Sequence, residues 1–296
     1  MPDAGNESNA TLSELYSDLD DQNIAPFWAV DTSADHDEDE QVRDKAKAIP
    51  YIWKYDDVLE PLLQRSAKLV TLESSERRSL ILANPGLQPR RASVSTMYTA
   101  YRLNDPNEIM PPHRHSPNAI RLGLTGEQNF TGVEGENITF GPGDMVLTPH
   151  DTWHNHGNQG DEPAINHRVL DLPLCETLNA TYFEHDYREE EEGVLVAKKT
   201  QSERFPSNYS SEIYGNGGLM PRFVSHERGT GNASPKYVYR WSEMRKILDQ
   251  FEDWDGNPHE ALMVEYVDPT NGLPVFKTMT FFAQMLRPGE RTLPLK

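Results

Sequence analysis

Apolar positions in this chain change their period along its length. Leu12, Leu15, Tyr16 and Leu19 recur at helical spacing behind a Thr11/Glu14 pair that reads as a capping box, so the pattern predicts a short amphipathic helix. A second helix is predicted over 56–64, with Leu59, Leu62 and Leu63 on its apolar side, and the acidic run 35–40 between them reads as a solvated loop. From Ser79 onward the period falls to two. Short segments at 80–82, 94–103, 119–124, 128–133, 138–140, 145–147 and 165–170 are separated by turn residues, the texture of a β-sandwich or barrel. REEEEG at 188–193 is a charged break and a candidate linker. Residues 242–254 return to helical spacing with Met244, Ile247, Leu248 and Phe251 as the buried stripe, and β texture then resumes.

Composition narrows the picture. The 296 residues leave room for one large domain or two ordinary ones, and 22 prolines favour a mainly β protein over a helical bundle. A net charge of −19 argues against a nucleic-acid backbone as partner. The acidity, with arginine outnumbering lysine, suits a salt-adapted cytoplasm and an ordinary acidic protein equally well. Cys175 is the single cysteine, which excludes an intramolecular disulfide and fits a reducing compartment. The N-terminus shows no basic and apolar signal-peptide regions, and no run approaches a membrane span. The expectation is a cytoplasmic protein with no membrane partner.

The chemistry concentrates in one stretch. Five of the ten histidines fall there: His113, His115, His150, His154 and His156. Residues two apart on a strand point to one face, so His113 and His115 can reach the same ion. His154 follows a turn set by Gly143 and Pro149 and can return on a neighbouring strand as a third ligand. By the same parity Ala119 and Arg121 share the face of His113 and His115. Three neutral imidazoles leave a divalent cation its full charge and open coordination positions, which favours a chelating anionic substrate and leaves room for O₂. Imidazole suits Fe, Zn, Cu or Ni, and a facial set with open positions is most like that of non-haem Fe(II) oxygenases. Arg121 offers a bidentate match to a carboxylate, the alternative being a structural ion pair. His156 shares a face with His154 and reads as a base or as an orienting neighbour. Arg102 and Arg168 fit either barrel-wall ion pairs or substrate clamps. His150 is expected to be solvated and Trp153 to serve packing.

These residues carry a resemblance. His113-x-His115 with Gly126, followed by Gly143, Pro149, His154 and Asn158, is similar to the two cupin motifs, with Ala119 at the place of the usual acid and Asp151 at that of a glycine. RRSLILANPGL (77–87), MPPHRHSPNAIRLGLTG (110–126), GPGDMVLTPHDTWHNHGN (141–158) and LDLP (170–173) further resemble gentisate 1,2-dioxygenases and the related salicylate and 1-hydroxy-2-naphthoate dioxygenases, over nearly the whole chain. The resemblance implies a bicupin of two jelly-roll barrels with Fe(II) held by His113, His115 and His154 in the first. It implies a substrate carboxylate on Arg121, with Tyr98, Arg77 or Arg78 and Arg102 in the pocket and His156 at the substrate. Arg102 stands where glutamine is usual, and Asn166 and Arg168 where Trp and Asp are more frequent. The implied reaction cleaves an aromatic hydroxy acid with O₂ between its carboxyl- and hydroxyl-bearing carbons, giving maleylpyruvate from gentisate, in a homo-oligomer that the family makes tetrameric. Salicylate or 1-hydroxy-2-naphthoate is the alternative substrate, and a non-catalytic cupin that binds an aromatic acid is the alternative class.

An internal repeat accompanies this. Superposing Thr96-Met97 on Thr278-Met279 also pairs Pro106 with Pro288, Glu108 with Glu290 and Pro112 with Pro294. Leu295 then falls on His113, so the second unit carries no metal site. The expected organisation is an N-terminal helical and extended segment (1–78), a metal-binding cupin barrel (79–187), a linker with a helix (188–262), and the start of a second, truncated barrel (263–296).

Overall fold

A computed structural model describes residues 11–28, 47–71, 75, 78–217, 219, 221, 223 and 233–294. The acidic run 35–40, Arg77 and Leu295 lie outside the described residues. Two compact units divide the chain, Met1–Leu103 and Asn104–Lys296.

In the first unit, helix α1 (Leu12–Asp21) starts at the capping box. Glu14 N donates to Thr11 Oγ1 at 3.3 Å and Thr11 N donates to Glu14 Oε2 at 2.7 Å. Its buried face, Leu15 and Leu19, packs towards helix α2 (Glu60–Leu69), whose Leu62 and Leu63 are also buried. The second helix enters through a π-helical turn (Tyr55–Leu59) and runs past the 64 expected from periodicity. Arg78 supplies the reason: its guanidinium donates to the carbonyls of Ala67 and Val70, two acceptors that the end of a helix leaves orphaned. Strands β1 (Ile24–Pro26), β2 (Leu80–Leu82) and β3 (Tyr98–Asn104) pair antiparallel in that order, with Ile24 opposite Leu82 and Leu80 opposite Tyr101. Residues 94–97 close a tight turn ahead of β3 instead of joining it.

The second unit is mainly β. One sheet orders β10 (Ala164–Leu170), β5 (Ala119–Thr125), β8 (Met145–Thr148) and β14 (Val238–Tyr239). The other orders β11 (Phe183–Glu184), β4 (Ile109–His115), β9 (His154–Asn158), β6 (Asn129–Val133) and β7 (Glu136–Phe140). Both sheets feed one core of Val133, Ile138, Phe140, Val146, Tyr237 and Val238. Strand β9 lies inside its sheet, between β4 and β6, and all five of its residues are buried. The glycine in it is required. A Cβ on Gly157 would stand 1.8 Å from the carbonyl oxygen of Glu108, a backbone atom that no rotamer change can move aside. Gly157→Ala is therefore expected to destabilise the fold by about 1–3 kcal/mol through forced strand displacement, measurable by urea unfolding.

Three later segments differ from the periodic reading. REEEEG, read as a break, forms a hairpin of β12 (Arg188–Glu191) and β13 (Val194–Ala197). Glu192 and Gly193 both take positive φ at its tip, the geometry that matches the twist of two paired strands. Charge alone does not prevent pairing when the side chains remain in solvent. Helix α3 (Leu172–Thr177) and helix α4 (Tyr209–Tyr214) lie ahead of α5 (Trp241–Gln250), which ends before Phe251 and buries Met244 and Leu248 but leaves Ile247 exposed. Near the end, β15 (Leu262–Glu265) and β16 (Phe282–Met285) pair as a two-stranded ribbon. Among the described residues no helix is long and apolar enough to cross a membrane.

Candidate metal centre

The site is built on the β4–β9 pair. Met110 stands opposite His156 and His113 opposite His154, so β4 spends one more residue than β9 over this stretch. The extra residue falls at Pro111-Pro112. Proline cannot donate to a ladder, and a bulge is where a sheet tolerates it. The bulge sets His113 directly across from His154. His113 and His115 share one side by strand parity, as do His154 and His156.

Four imidazoles converge. Ring centroids are 4.4 Å apart for His113 and His154, 4.7 Å for His115 and His154, 5.8 Å for His113 and His115, and 5.2 Å for His113 and His156. Candidate ligand nitrogens of His113, His154 and His156 lie within 4.8 Å of one another. Nitrogen distance alone thus groups His156, and not His115, with His113 and His154.

Proton positions separate them. Nδ1 of His113 lies 3.1 Å from the carbonyl of Pro111, that of His115 2.9 Å from Pro117, and that of His154 2.9 Å from Thr152. A carbonyl only accepts, so each Nδ1 carries the proton and each Nε2 keeps its lone pair. His156 is reversed. Its Nδ1 lies 3.2 Å from Nη2 of Arg121, and a guanidinium only donates, so the lone pair of His156 is engaged and its Nε2 bears the hydrogen. Three rings offer a lone pair and one offers a donor.

Burial and neighbouring charge favour the neutral form of His113 and His154. Burial, then the neighbouring imidazoles and the Arg121 guanidinium, hold the His113 and His154 imidazoles well below the usual histidine range, with the carbonyl bonds opposing only in part. A neutral imidazole is the form that binds a metal. Nε2 of His154 is buried with no hydrogen-bond partner among the described residues. A buried lone pair left in that state is costly unless a cation or proton donor meets it, so the donor set fits a resident metal ion.

Arg121 lies in β5, opposite Val146 of β8, and is buried. Its Nη1 donates to Thr148 Oγ1 at 2.9 Å while Nη2 donates to His156. Thr148 passes its own hydrogen to the carbonyl of Ala119 at 3.2 Å, so the guanidinium plane is fixed by two elements. Ala119, at the place of the missing acid, is buried on the same strand.

The remaining candidates divide. Tyr98 and Arg102 are buried on β3 of the first unit, where the Tyr98 ring packs 5.8 Å from that of Phe27. Of the two arginines before ANPG, Arg78 is committed to helix-end carbonyls. His150 is not a solvated bystander: its Nδ1 donates to the carbonyl of Ser116 at 2.6 Å and its backbone N donates to Asn118 Oδ1 at 2.9 Å. Trp153 packs 4.9 Å from Tyr187 and under the Arg114 guanidinium. Sequence reasoning missed His185, an exposed residue whose ring stacks 5.8 Å from His113, and Phe183, 5.5 Å from His115. The two-residue strand β11 brings them in through Phe183 opposite His115, and so short a strand leaves no periodicity to read. Thr148 was also missed. Only its register with Ala119 reveals it.

Comparison with known proteins places this geometry. The model of the cupin domain matches residues 104–167, which hold all four convergent histidines and Arg121. Gentisate 1,2-dioxygenase 1 of Aquipseudomonas alcaligenes is 32% identical over 282 residues, spanning 94% of this chain and 75% of that protein. The chain belongs to the gentisate 1,2-dioxygenase family. The 1-hydroxy-2-naphthoate 1,2-dioxygenase of a Nocardioides species is 32% identical over 81% of this chain and 59% of its own length. Among solved structures, salicylate 1,2-dioxygenase from Pseudoaminobacter salicylatoxidans with gentisate bound is 30% identical, with a TM-score of 0.67 over 93% of this chain and 71% of that one. For a ring-cleaving dioxygenase of this family, a buried set of neutral imidazoles beside a guanidinium is the chemistry a metal cofactor and an acidic aromatic substrate require.

Proposed function

We propose that this chain is a gentisate 1,2-dioxygenase, cleaving the ring between its carboxyl- and hydroxyl-bearing carbons with O₂ to give maleylpyruvate. The observation that carries the reading is the set of three Nε2 lone pairs, on His113, His115 and His154, next to a guanidinium fixed by Thr148 and His156. These three histidines would hold Fe(II). Bound iron supplies open coordination positions for the substrate's carboxylate and adjacent hydroxyl oxygen and activates O₂.

The protein's own part is positioning. Arg121 receives the carboxylate and offsets its charge with a charge-assisted hydrogen bond, stronger in this buried setting than in water. His156 presents Nε2–H, so it serves as a hydrogen-bond donor to an oxygen of the substrate or of O₂, and Arg121 holds its ring in the orientation that makes this possible. The three Nδ1–H bonds to backbone carbonyls orient the ligand rings before any ion arrives. Tyr98, Arg77 and Arg102 are kept as further substrate-binding residues, on the family resemblance. We read the 263–296 segment as the opening of a second cupin unit, from the repeat at Thr278-Met279.

A second substrate reading, salicylate or 1-hydroxy-2-naphthoate, draws on the relatives named for those compounds. One experiment decides both. The protein is loaded with Fe(II) without air and O₂ uptake is followed with gentisate, salicylate and 1-hydroxy-2-naphthoate. Uptake with gentisate and absorbance from the ring-opened product is the expected result. Folded, iron-loaded protein that consumes no O₂ with any of the three would sink the enzyme reading.

A further inference from the structure

The turn between His115 and Arg121 is held by a buried carboxylate outside the metal centre. Asp171, at the end of β10, is 1% exposed. Its Oδ1 accepts from the backbone N of Asn118 at 2.7 Å, and its Oδ2 accepts from Asn118 Nδ2 at 3.1 Å and from the hydroxyl of Thr278. Asn118 Nδ2 is also 3.1 Å from Thr278 Oγ1, which closes a three-residue ring of hydrogen bonds. On its other side Asn118 accepts from the backbone N of His150 at 2.9 Å, and His150 returns a bond to the carbonyl of Ser116.

The clamp bears on the Ser116-Pro117-Asn118 turn. The carbonyl of Pro117, inside that turn, accepts from Nδ1 of His115 at 2.9 Å and so sets both the tautomer and the ring direction of His115. Asn118 leads directly into β5 and Arg121. Proline leaves the turn without a regular ladder, so these side-chain bonds, with the backbone bond from Ser116 N to the Tyr182 carbonyl, hold it in place. Thr278 reaches it from 107 residues beyond Asp171, and Thr278-Met279 is the pair on which the internal repeat was registered.

We infer that Asp171 is a positioning residue for the metal site, acting through Asn118 on the Pro117 carbonyl that orients His115, and that Thr278 braces it from the later part of the chain. The inference rests on His115 being a ligand, as proposed above. Outer partners of ligating histidines characteristically tune metal affinity by roughly 10–100-fold, because they hold the ring at the bonding angle and raise its basicity.

The test uses Co(II) in place of iron, read by its visible absorption, so that metal binding is followed without turnover. Asp171→Ala is expected to weaken Co(II) binding by roughly 10–100-fold and to alter the band shape, with Asn118→Ala moving both in the same direction. Should Asp171→Ala fail to fold, the exposed Thr278 decides: Thr278→Val, which removes only the hydroxyl, is expected to weaken Co(II) binding several-fold, and Thr278→Ser to restore it. Folded Asp171→Ala with wild-type Co(II) affinity and spectrum overturns the inference, as does Thr278→Val indistinguishable from wild type where that pair is the deciding one. Failure of the functional reading is separate: wild-type protein that binds Co(II) tightly but cleaves no aromatic acid after iron loading removes the proposed reaction and leaves the clamp standing.

Discussion

His154→Ala is expected to lose its metal during anaerobic gel filtration and to lower kcat/KM by more than about 10³-fold, a loss of roughly 4 kcal/mol of transition-state stabilisation. His154 is the central ligand by geometry. It sits opposite His113 across the ladder, its ring is nearest to both His113 and His115, and its Nε2 is a buried nitrogen with no hydrogen-bond partner among the described residues. His115→Ala should behave in the same way. His156→Ala should not: its lone pair is engaged by Arg121, so the variant retains iron and loses about 10²-fold in kcat, the cost of removing one preorganised donor. Iron content by inductively coupled plasma analysis separates the two classes. Full metal retention in His115→Ala together with metal loss in His156→Ala would reverse the ligand assignment, in favour of the set that nitrogen distances alone group.

Arg121→Ala carries the second large effect. A hydrogen bond to a charged group contributes about 1.5–3 kcal/mol, so binding of the carboxylate substrate should weaken by roughly 10–150-fold. The loss extends to kcat, because the same guanidinium holds the His156 ring. Arg121→Lys keeps the charge but cannot meet Thr148, His156 and a carboxylate together, and should recover only part of either loss. The discriminating comparison is gentisate against its carboxamide. Wild type should bind the acid far better than the amide, and Arg121→Ala should bind them about equally. An undiminished preference for the acid in the variant would assign carboxylate recognition elsewhere, with Arg102 the next candidate.

Much of this was legible in the chain because local chemistry and tertiary structure agree. The Thr11/Glu14 capping box and the buried Leu15 and Leu19 follow from side-chain reach and helical period. The strands around the site follow from alternation, and the shared face of His113 and His115 from parity. What escaped depended on pairing partners that the segment itself does not show. REEEEG pairs as a hairpin because the chain beyond it returns Val194–Ala197 in register. Phe183 arrives beside the histidines on a strand too short to show a period, and His185 directly follows that strand. His150, taken for a solvated turn residue, is tied to Ser116 and Asn118, over 30 positions earlier.

Spacing and residue identity carried most of the helices and strands, the shared face of His113 and His115, and the lack of an acid at Ala119. Which nitrogen of each ring is available is a matter of three-dimensional contacts. That choice depends on whether Nδ1 meets a carbonyl, as in His113, His115 and His154, or a guanidinium, as in His156. Arg121 stands 35 positions from His156 in the chain and on the other sheet, and the packing of the two sheets brings them to hydrogen-bonding distance. Two histidines with the same residue type and strand face thus become a lone-pair donor and a hydrogen-bond donor, because a histidine's role is set by what its other nitrogen touches.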